Sequence, residues 1–277
     1  MQKRSGTIAA ALSVLICGSP LLTGCSTYDN NTAFQNAVEK HIAGDYLGAI
    51  AHYNKELEIN PPDEDVYYNR GNAKNKLGDY SGAISDYNKT IELNPRYESA
   101  YVNRGFSKRY LKDYLGAISD FNKVIEINPK HANAFYNRGS VKDILGDYSG
   151  AISDYNKTIE LNPMSANAYL NRGVAKINSG DNLGAVADFS KAIEIKPNYI
   201  KAYFNSGMAK INLEDYYGGI SDYSKVIEIN PKFIRAYINR GLAKYKVGDV
   251  KGFCSDWTQA SELGEEEAAR WMKEYCQ

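Results

Sequence analysis

The 277-residue chain balances 33 basic against 33 acidic side chains and carries three histidines and four cysteines. Balanced charge without a cationic cluster excludes a nucleic-acid footprint. His41, His52 and His131 do not stand at metal-ligand spacing, so neither a metal nor another cofactor is expected.

The first 24 residues have the layout of a processing signal and are set aside from the fold. Gln2, Lys3 and Arg4 form a basic start, and Ile8 to Ile16 is apolar. Gly18, Ser19 and Pro20 interrupt that run, leaving it too short to span a bilayer comfortably. Leu22-Thr23-Gly24-Cys25 resembles a bacterial lipobox, which implies cleavage before Cys25 and lipidation of that residue. The alternative is an ordinary secretory signal with a chance cysteine. Ser26 after the cysteine, in place of aspartate, resembles lipoproteins sorted to the outer membrane of double-membraned bacteria. The resemblance implies a chain in the bacterial cell envelope, anchored on the periplasmic face of the outer membrane. Loss of Lys3 and Arg4 with the signal would leave 31 basic and 33 acidic residues. Residues 25–32 then form the lipidated cysteine and a polar linker.

From there on the chain repeats itself. Pro61, Pro95, Pro129, Pro163, Pro197 and Pro231 are each 34 residues apart. A fixed period of that length with two helical stretches per unit marks a helix–turn–helix solenoid. In the unit from Glu64 to Tyr97, Tyr67, Gly71, Lys74 and Leu77 are at helical spacing. Gly78 suits a left-handed helix terminator, and Asp79 suits the N-cap of a second helix running from Tyr80 to Leu93. Pro95 ends that helix. Helices of three to four turns are marginal alone, so stability must come from stacking. Gly71, Gly105, Gly139, Gly173, Gly207 and Gly241 recur mid-helix at a cost of about 1 kcal/mol each against alanine. That cost predicts close packing, with Ala83, Ala117, Ala151 and Ala185 as the expected partners. Lys112 and Glu214 replace the turn glycine and predict mild local strain.

These features resemble the tetratricopeptide repeat family. The residues that carry the likeness are the first-helix aromatics Tyr67, Tyr101, Phe135, Tyr169, Tyr203 and Tyr237, the mid-helix glycines, pairs such as Ala83 with Tyr87, and the closing prolines. Residues 33–263 hold seven such repeats, the first degenerate, and residues 264–277 form a C-terminal capping helix. The resemblance implies an all-α, right-handed superhelical solenoid whose first helices line a groove for a protein or extended peptide. It implies a non-enzymatic scaffold or adaptor, or else a structural subunit of an envelope assembly that uses its edges. Oligomeric state is not legible.

Asn69, Asn103, Asn137, Asn171, Asn205 and Asn239 recur one residue before each glycine-preceding position. A carboxamide can pair with a peptide N–H and C=O together, so a row of them could grip an extended backbone. The alternative is that they bond neighbouring helices. Val174, Ile177, Met208, Ile211 and Leu242 form an apolar stripe suited either to docking or to packing between repeats. Arg70, Arg104, Arg138, Arg172 and Arg240 match Asp86, Asp120, Asp154, Asp188 and Asp256, which predicts structural ion pairs. Ser206 breaks the series, and Lys210 is the expected substitute partner of Asp222. Cys254 and Cys276 are equidistant from the turn at Gly264-Glu265, which places them opposite each other in an antiparallel helix pair and suits a disulfide. Two buried thiols are the alternative. Trp257 and Trp271 are expected to pack between those helices.

Overall fold

A computed structural model describes residues 32–276; the signal segment, Cys25 and most of its linker lie outside the described residues. The described residues are helices joined by short turns and fall into two compact units, one ending at Ala134 and the other starting at Phe135. In the first unit the hairpins are α1 (Thr32–Ile42) with α2 (Tyr46–Ile59), α3 (Glu64–Lys76) with α4 (Tyr80–Leu93), and α5 (Glu98–Tyr110) with α6 (Tyr114–Ile127). Helix α7 (Ala132–Ile144) begins in that unit and continues into the second. The second unit contains α8 (Tyr148–Leu161), then α9 (Ala166–Asn178) with α10 (Asn182–Ile195), and α11 (Ile200–Asn212) with α12 (Tyr216–Ile229). Helix α13 (Ile234–Lys246) pairs with α14 (Val250–Glu262), and α15 (Glu266–Tyr275) closes the chain.

Each hairpin turn is built from one phrase. Gly78 sits at φ +81°, a conformation open to glycine at no steric cost. The Asp79 carboxylate then accepts from the Gly82 N–H at 2.8 Å and caps α4. The same aspartate cap opens the other second helices, supplied by Asp45, Asp113, Asp147, Asp181, Asp215 and Asp249. Lys112 and Glu214 adopt φ +63° and +61°, so the turn survives there with a side chain in the left-handed region.

Every hairpin buries an aromatic of its second helix. Tyr53, Tyr87, Phe121, Tyr155, Phe189, Tyr223 and Trp257, all on second helices, are at most 4 % exposed. Burying each stabilises by about 2 kcal/mol. These rings, and not the expected alanines, are what the mid-helix glycines accommodate. A Cβ on Gly71 would meet the Tyr87 ring at 2.8 Å, and one on Gly173 the Phe189 ring at 2.6 Å. At Gly139 the Ala151 carbonyl is also near, at 3.3 Å, but the Tyr155 ring is nearer. Alanine spacing alone does not reveal this.

The arginine–aspartate pairs bridge the two helices of five hairpins, as expected. In the second unit Arg172 Nε donates to Asp188 Oδ2 at 2.9 Å, and its Nη2 donates to Oδ1. Lys176 Nζ sits 2.9 Å from the Oδ2 oxygen. A lysine completes every such site, with Lys74, Lys108, Lys142 and Lys244 on their aspartates. Lys210 partners Asp222 at 2.7 Å as expected, in the place that a lysine also takes in the arginine-bearing repeats. A further link goes beyond the expected pairs. Arginine Nη1 reaches back to the preceding hairpin, from Arg70 to Asn54 at 2.7 Å, Arg104 to Asn88 at 2.7 Å and Arg172 to Asn156 at 2.6 Å. Those asparagines stand 16 residues before these three arginines, a signal the sequence does carry.

At the C-terminus, α14 and α15 are joined by a Cys254–Cys276 bond with Cα atoms 5.7 Å apart. Trp257 is buried and meets Trp271 edge-on at 5.5 Å, but Trp271 stays 42 % exposed and stacks on Tyr275 instead of packing between the helices. Closing a loop across a 22-residue separation limits the unfolded chain by about 3 kcal/mol. Cys254→Ser with Cys276→Ser should therefore raise amide exchange across α15 while leaving α9 to α12 protected. Uniform exchange along the chain in that variant would contradict a local capping role, and a peptide map without reduction reads the bond itself.

Candidate functional site

The repeat places each predicted asparagine on a first helix, yet their surroundings differ. Asn69 is buried, at 1 % exposure. Asn103 donates to the Tyr68 hydroxyl at 3.1 Å and to Asn72 Oδ1 at 2.8 Å. Asn171 donates to the Tyr136 hydroxyl at 2.9 Å, and Asn239 to the Tyr223 hydroxyl at 3.4 Å. Asn137 and Asn205 are half-buried on α7 and α11. Thus, where a tyrosine stands on the preceding first helix, as Tyr68 and Tyr136 do, it takes the amide donor of the following asparagine. Only the tertiary register shows this, because the two residues are 35 positions apart.

The apolar stripe divides in two. Val174 and Ile177 pack against the buried cluster around Leu170 and Phe189. Met208 and Leu242 remain 37 % and 44 % exposed, next to Tyr245 at 45 %. Together with Ile211 and Tyr216 they wall an open-mouthed cleft of about 360 Å³ between α11 and α13, within the second unit. Tyr223 forms its floor, and Asn212, Asn239 and Lys246 supply its polar margin. Burial pushes the Tyr223 phenol up to about 12, against a smaller opposing effect of the Asn239 hydrogen bond. The phenol thus stays neutral at any ordinary pH, so the floor of the cleft carries no charge and the Lys246 ammonium stands at its margin. Ligand sites of this size and lining take an apolar group and orient it by a few polar contacts.

The chemistry of a catalyst does not assemble around this cleft. Its wall brings together no pair of titratable groups suited to acid–base work. Among the described residues, no group of three or more His, Cys, Asp or Glu could hold a metal ion. No described helix is long and apolar enough to cross a membrane.

Family models for the tetratricopeptide repeat match residues 64–97, 98–131, 166–199 and 200–233, and a TPR repeat model matches 39–78 and 144–180. The chain belongs to the tetratricopeptide repeat family. Tetratricopeptide repeats serve as scaffolds for protein interaction, and no catalytic family is indicated for this chain. Among solved structures, the C-terminal part of a TPR repeat-containing protein from Cytophaga hutchinsonii is similar, with a TM-score of 0.75 at 18 % identity over 86 % of this chain and 98 % of that one. MamA is similar at 28 % identity and a TM-score of 0.58, covering 62 % of this chain and 94 % of its own. YrrB, a TPR protein with an unusual peptide-binding site, shares the fold at 24 % identity and a TM-score of 0.58, over 66 % of this chain and 95 % of its own. A comparison with curated proteins finds no match.

Proposed function

We propose that this tetratricopeptide repeat protein is a lipid-anchored scaffold of the bacterial envelope that holds an extended segment of a partner protein on its first helices. The cleft of the second unit carries the reading. Met208 and Leu242 expose apolar surface beside the Asn239 carboxamide, where one apolar side chain can be seated while a neighbouring peptide group is hydrogen-bonded. Asn205, half-buried one repeat earlier, would extend the same grip along a bound backbone. YrrB, which shares the fold and has a peptide-binding site, lends the reading general support. Anchoring rests on the sequence around Cys25 alone. Several acyl chains on one residue would hold the protein at a membrane surface, and Ser26 favours the periplasmic face of the outer membrane.

A photo-crosslinking amino acid at Leu242, introduced in cells, should trap a defined set of envelope proteins. Met208→Asp should reduce that trapping by about tenfold, because a charge placed in an apolar seat must be desolvated by any ligand. Met208 is exposed enough for the fold to tolerate the change. An unaltered crosslinking pattern in a correctly folded Met208→Asp variant would remove the cleft from the reading. Absence of acyl mass on the N-terminus beginning at Cys25 would remove the anchor.

A further inference from the structure

Five repeats place an arginine where α11 has Ser206. In those repeats the guanidinium has three kinds of receiver. The aspartate of the second helix takes the fork of Nε and Nη2, as Asp256 does for Arg240 at 2.9 and 2.6 Å. The aromatic three residues earlier lies under the guanidinium carbon, at 5.3 to 5.7 Å from Tyr67, Tyr101, Phe135, Tyr169 and Tyr237. A polar side chain of the preceding second helix accepts from Nη1, and for Arg240 this is the Ser224 hydroxyl at 3.0 Å.

The repeat around Ser206 keeps all three receivers and lacks the arginine. Asp222 stands for Asp256, Tyr203 for Tyr237, and Ser190 for Ser224. Ser190 even holds the same posture as Ser224, each donating its hydroxyl to the carbonyl four residues back, at 2.8 and 2.7 Å. The oxygen of each serine is thereby aimed the same way. The Asp222 side chain is 11 % exposed, whereas the arginine-paired aspartates are 3 to 5 % exposed. Ser190 is exposed, whereas Ser224 is half-covered. In the α5–α6 hairpin the equivalent edge opens onto a surface cleft of about 350 Å³ beside Arg104, Asp120 and Lys123. In α11–α12 Ser206 itself is buried, and the opening to solvent lies at Ser190 and the Asp222 carboxylate.

We infer that Asp222, Tyr203 and Ser190 form a receiving site for a guanidinium group, supplied by an arginine side chain of a partner polypeptide. The carboxylate presents the planar, two-oxygen edge that a guanidinium matches and an ammonium does not. Lys210 occupies one side of Asp222, as its counterparts do in every arginine-bearing repeat, so two cations on one carboxylate is the arrangement this fold already uses five times. Tyr203 adds a ring face for the cation. The site shares no residue with the apolar cleft, so it stands or falls apart from the proposed peptide grip.

The test is an NMR titration of the whole chain with N-acetyl-arginine amide, and with the lysine and citrulline analogues as controls. The arginine compound should give saturable shifts at the amides of Ser206, Lys210 and Asp222, with an affinity on the order of millimolar. The lysine and citrulline compounds should bind about fivefold more weakly or worse, the one for want of a fork and the other for want of charge. Ser206→Arg should abolish the response, because its own guanidinium then fills the site, and Asp222→Asn should abolish it without adding a cation. Equal shifts in wild type and Ser206→Arg, or equal binding of citrulline, would overturn the inference. Sedimentation separates the sources. A concentration-dependent dimer that Ser206→Arg dissolves would overturn the assignment to a partner and make a second copy of this chain the donor.

Discussion

Gly173→Val is expected to destabilise the α9–α10 hairpin by about 3 kcal/mol, although valine is the better helix former. A Cβ at position 173 would stand 2.6, 2.9 and 3.0 Å from three carbons of the Phe189 ring. That ring is fully buried in the cluster of Leu170, Ala185, Ala192, Ala202 and Ala209, so any shift of it must displace close-packed neighbours. Overpacking of this kind commonly costs about 1 to 3 kcal/mol, and the two methyls beyond Cβ add to it. Gly139→Ala provides the comparison, because its nearest neighbours stand at 3.1 Å and need give only a few tenths of an ångström. Denaturant unfolding together with amide exchange in α9 and α10 reads both variants. Gly173→Val as stable as wild type would mean that the glycine is not there for the ring. Restoration of stability by adding Phe189→Leu would locate the clash where the geometry puts it.

Asp188→Ala is expected to cost about 3 to 5 kcal/mol. The Asp188 side chain is 5 % exposed and satisfies both the Arg172 fork and Lys176, whose side chains are only 17 and 19 % exposed. Removing the carboxylate leaves two partly buried cations facing each other, and the cost is that of stranding them and not the worth of the bond. The equivalent change at Asp222 strands Lys210 alone and should therefore cost less. Replacing Arg172, Lys176 and Asp188 together by methionine, methionine and leucine should return most of the loss, since an apolar set carries no desolvation penalty. A loss below about 1 kcal/mol for Asp188→Ala would class these sites with ordinary exposed ion pairs. It would also weaken the case for a guanidinium site at Asp222, which borrows its geometry.

The two predictions differ in how far the sequence supports them. The arginine–aspartate pairing is visible there because both members recur at a fixed offset and are lost together in the first repeat, where Asn36 and His52 stand instead. The reach of the same arginines to the preceding hairpin has an equally regular signal in Asn54, Asn88 and Asn156. That signal is not distinctive, since an exposed asparagine on a helix can as well hydrogen-bond water alone. The role of Gly173 is legible only as a recurring cost. Its compensating partner depends on which second-helix side chain the hairpin angle brings across.

The candidate site is less legible than the fold. Met208 and Leu242 differ from Val174 in nothing a sequence displays, because all three are apolar residues at the same position of the 34-residue repeat. Whether each meets a neighbour or solvent depends on the side chains of the adjacent repeat, and those vary from unit to unit. The asparagines behave alike. Tyr68 and Tyr136 engage Asn103 and Asn171 across a repeat boundary, whereas Val102 and Leu170 offer no hydroxyl to the asparagines that follow them.

By itself the sequence determined the period, the helix ends, the turn chemistry and the paired charges, since each depends on residues within one repeat whose spacing fixes their geometry. Only the tertiary structure decided which aromatic faces which glycine, which apolar residues stay exposed, and that Asp222 is held by Lys210 beside a serine where other repeats have arginine. Those outcomes depend on contacts between helices, where distance in space is not a function of distance along the chain.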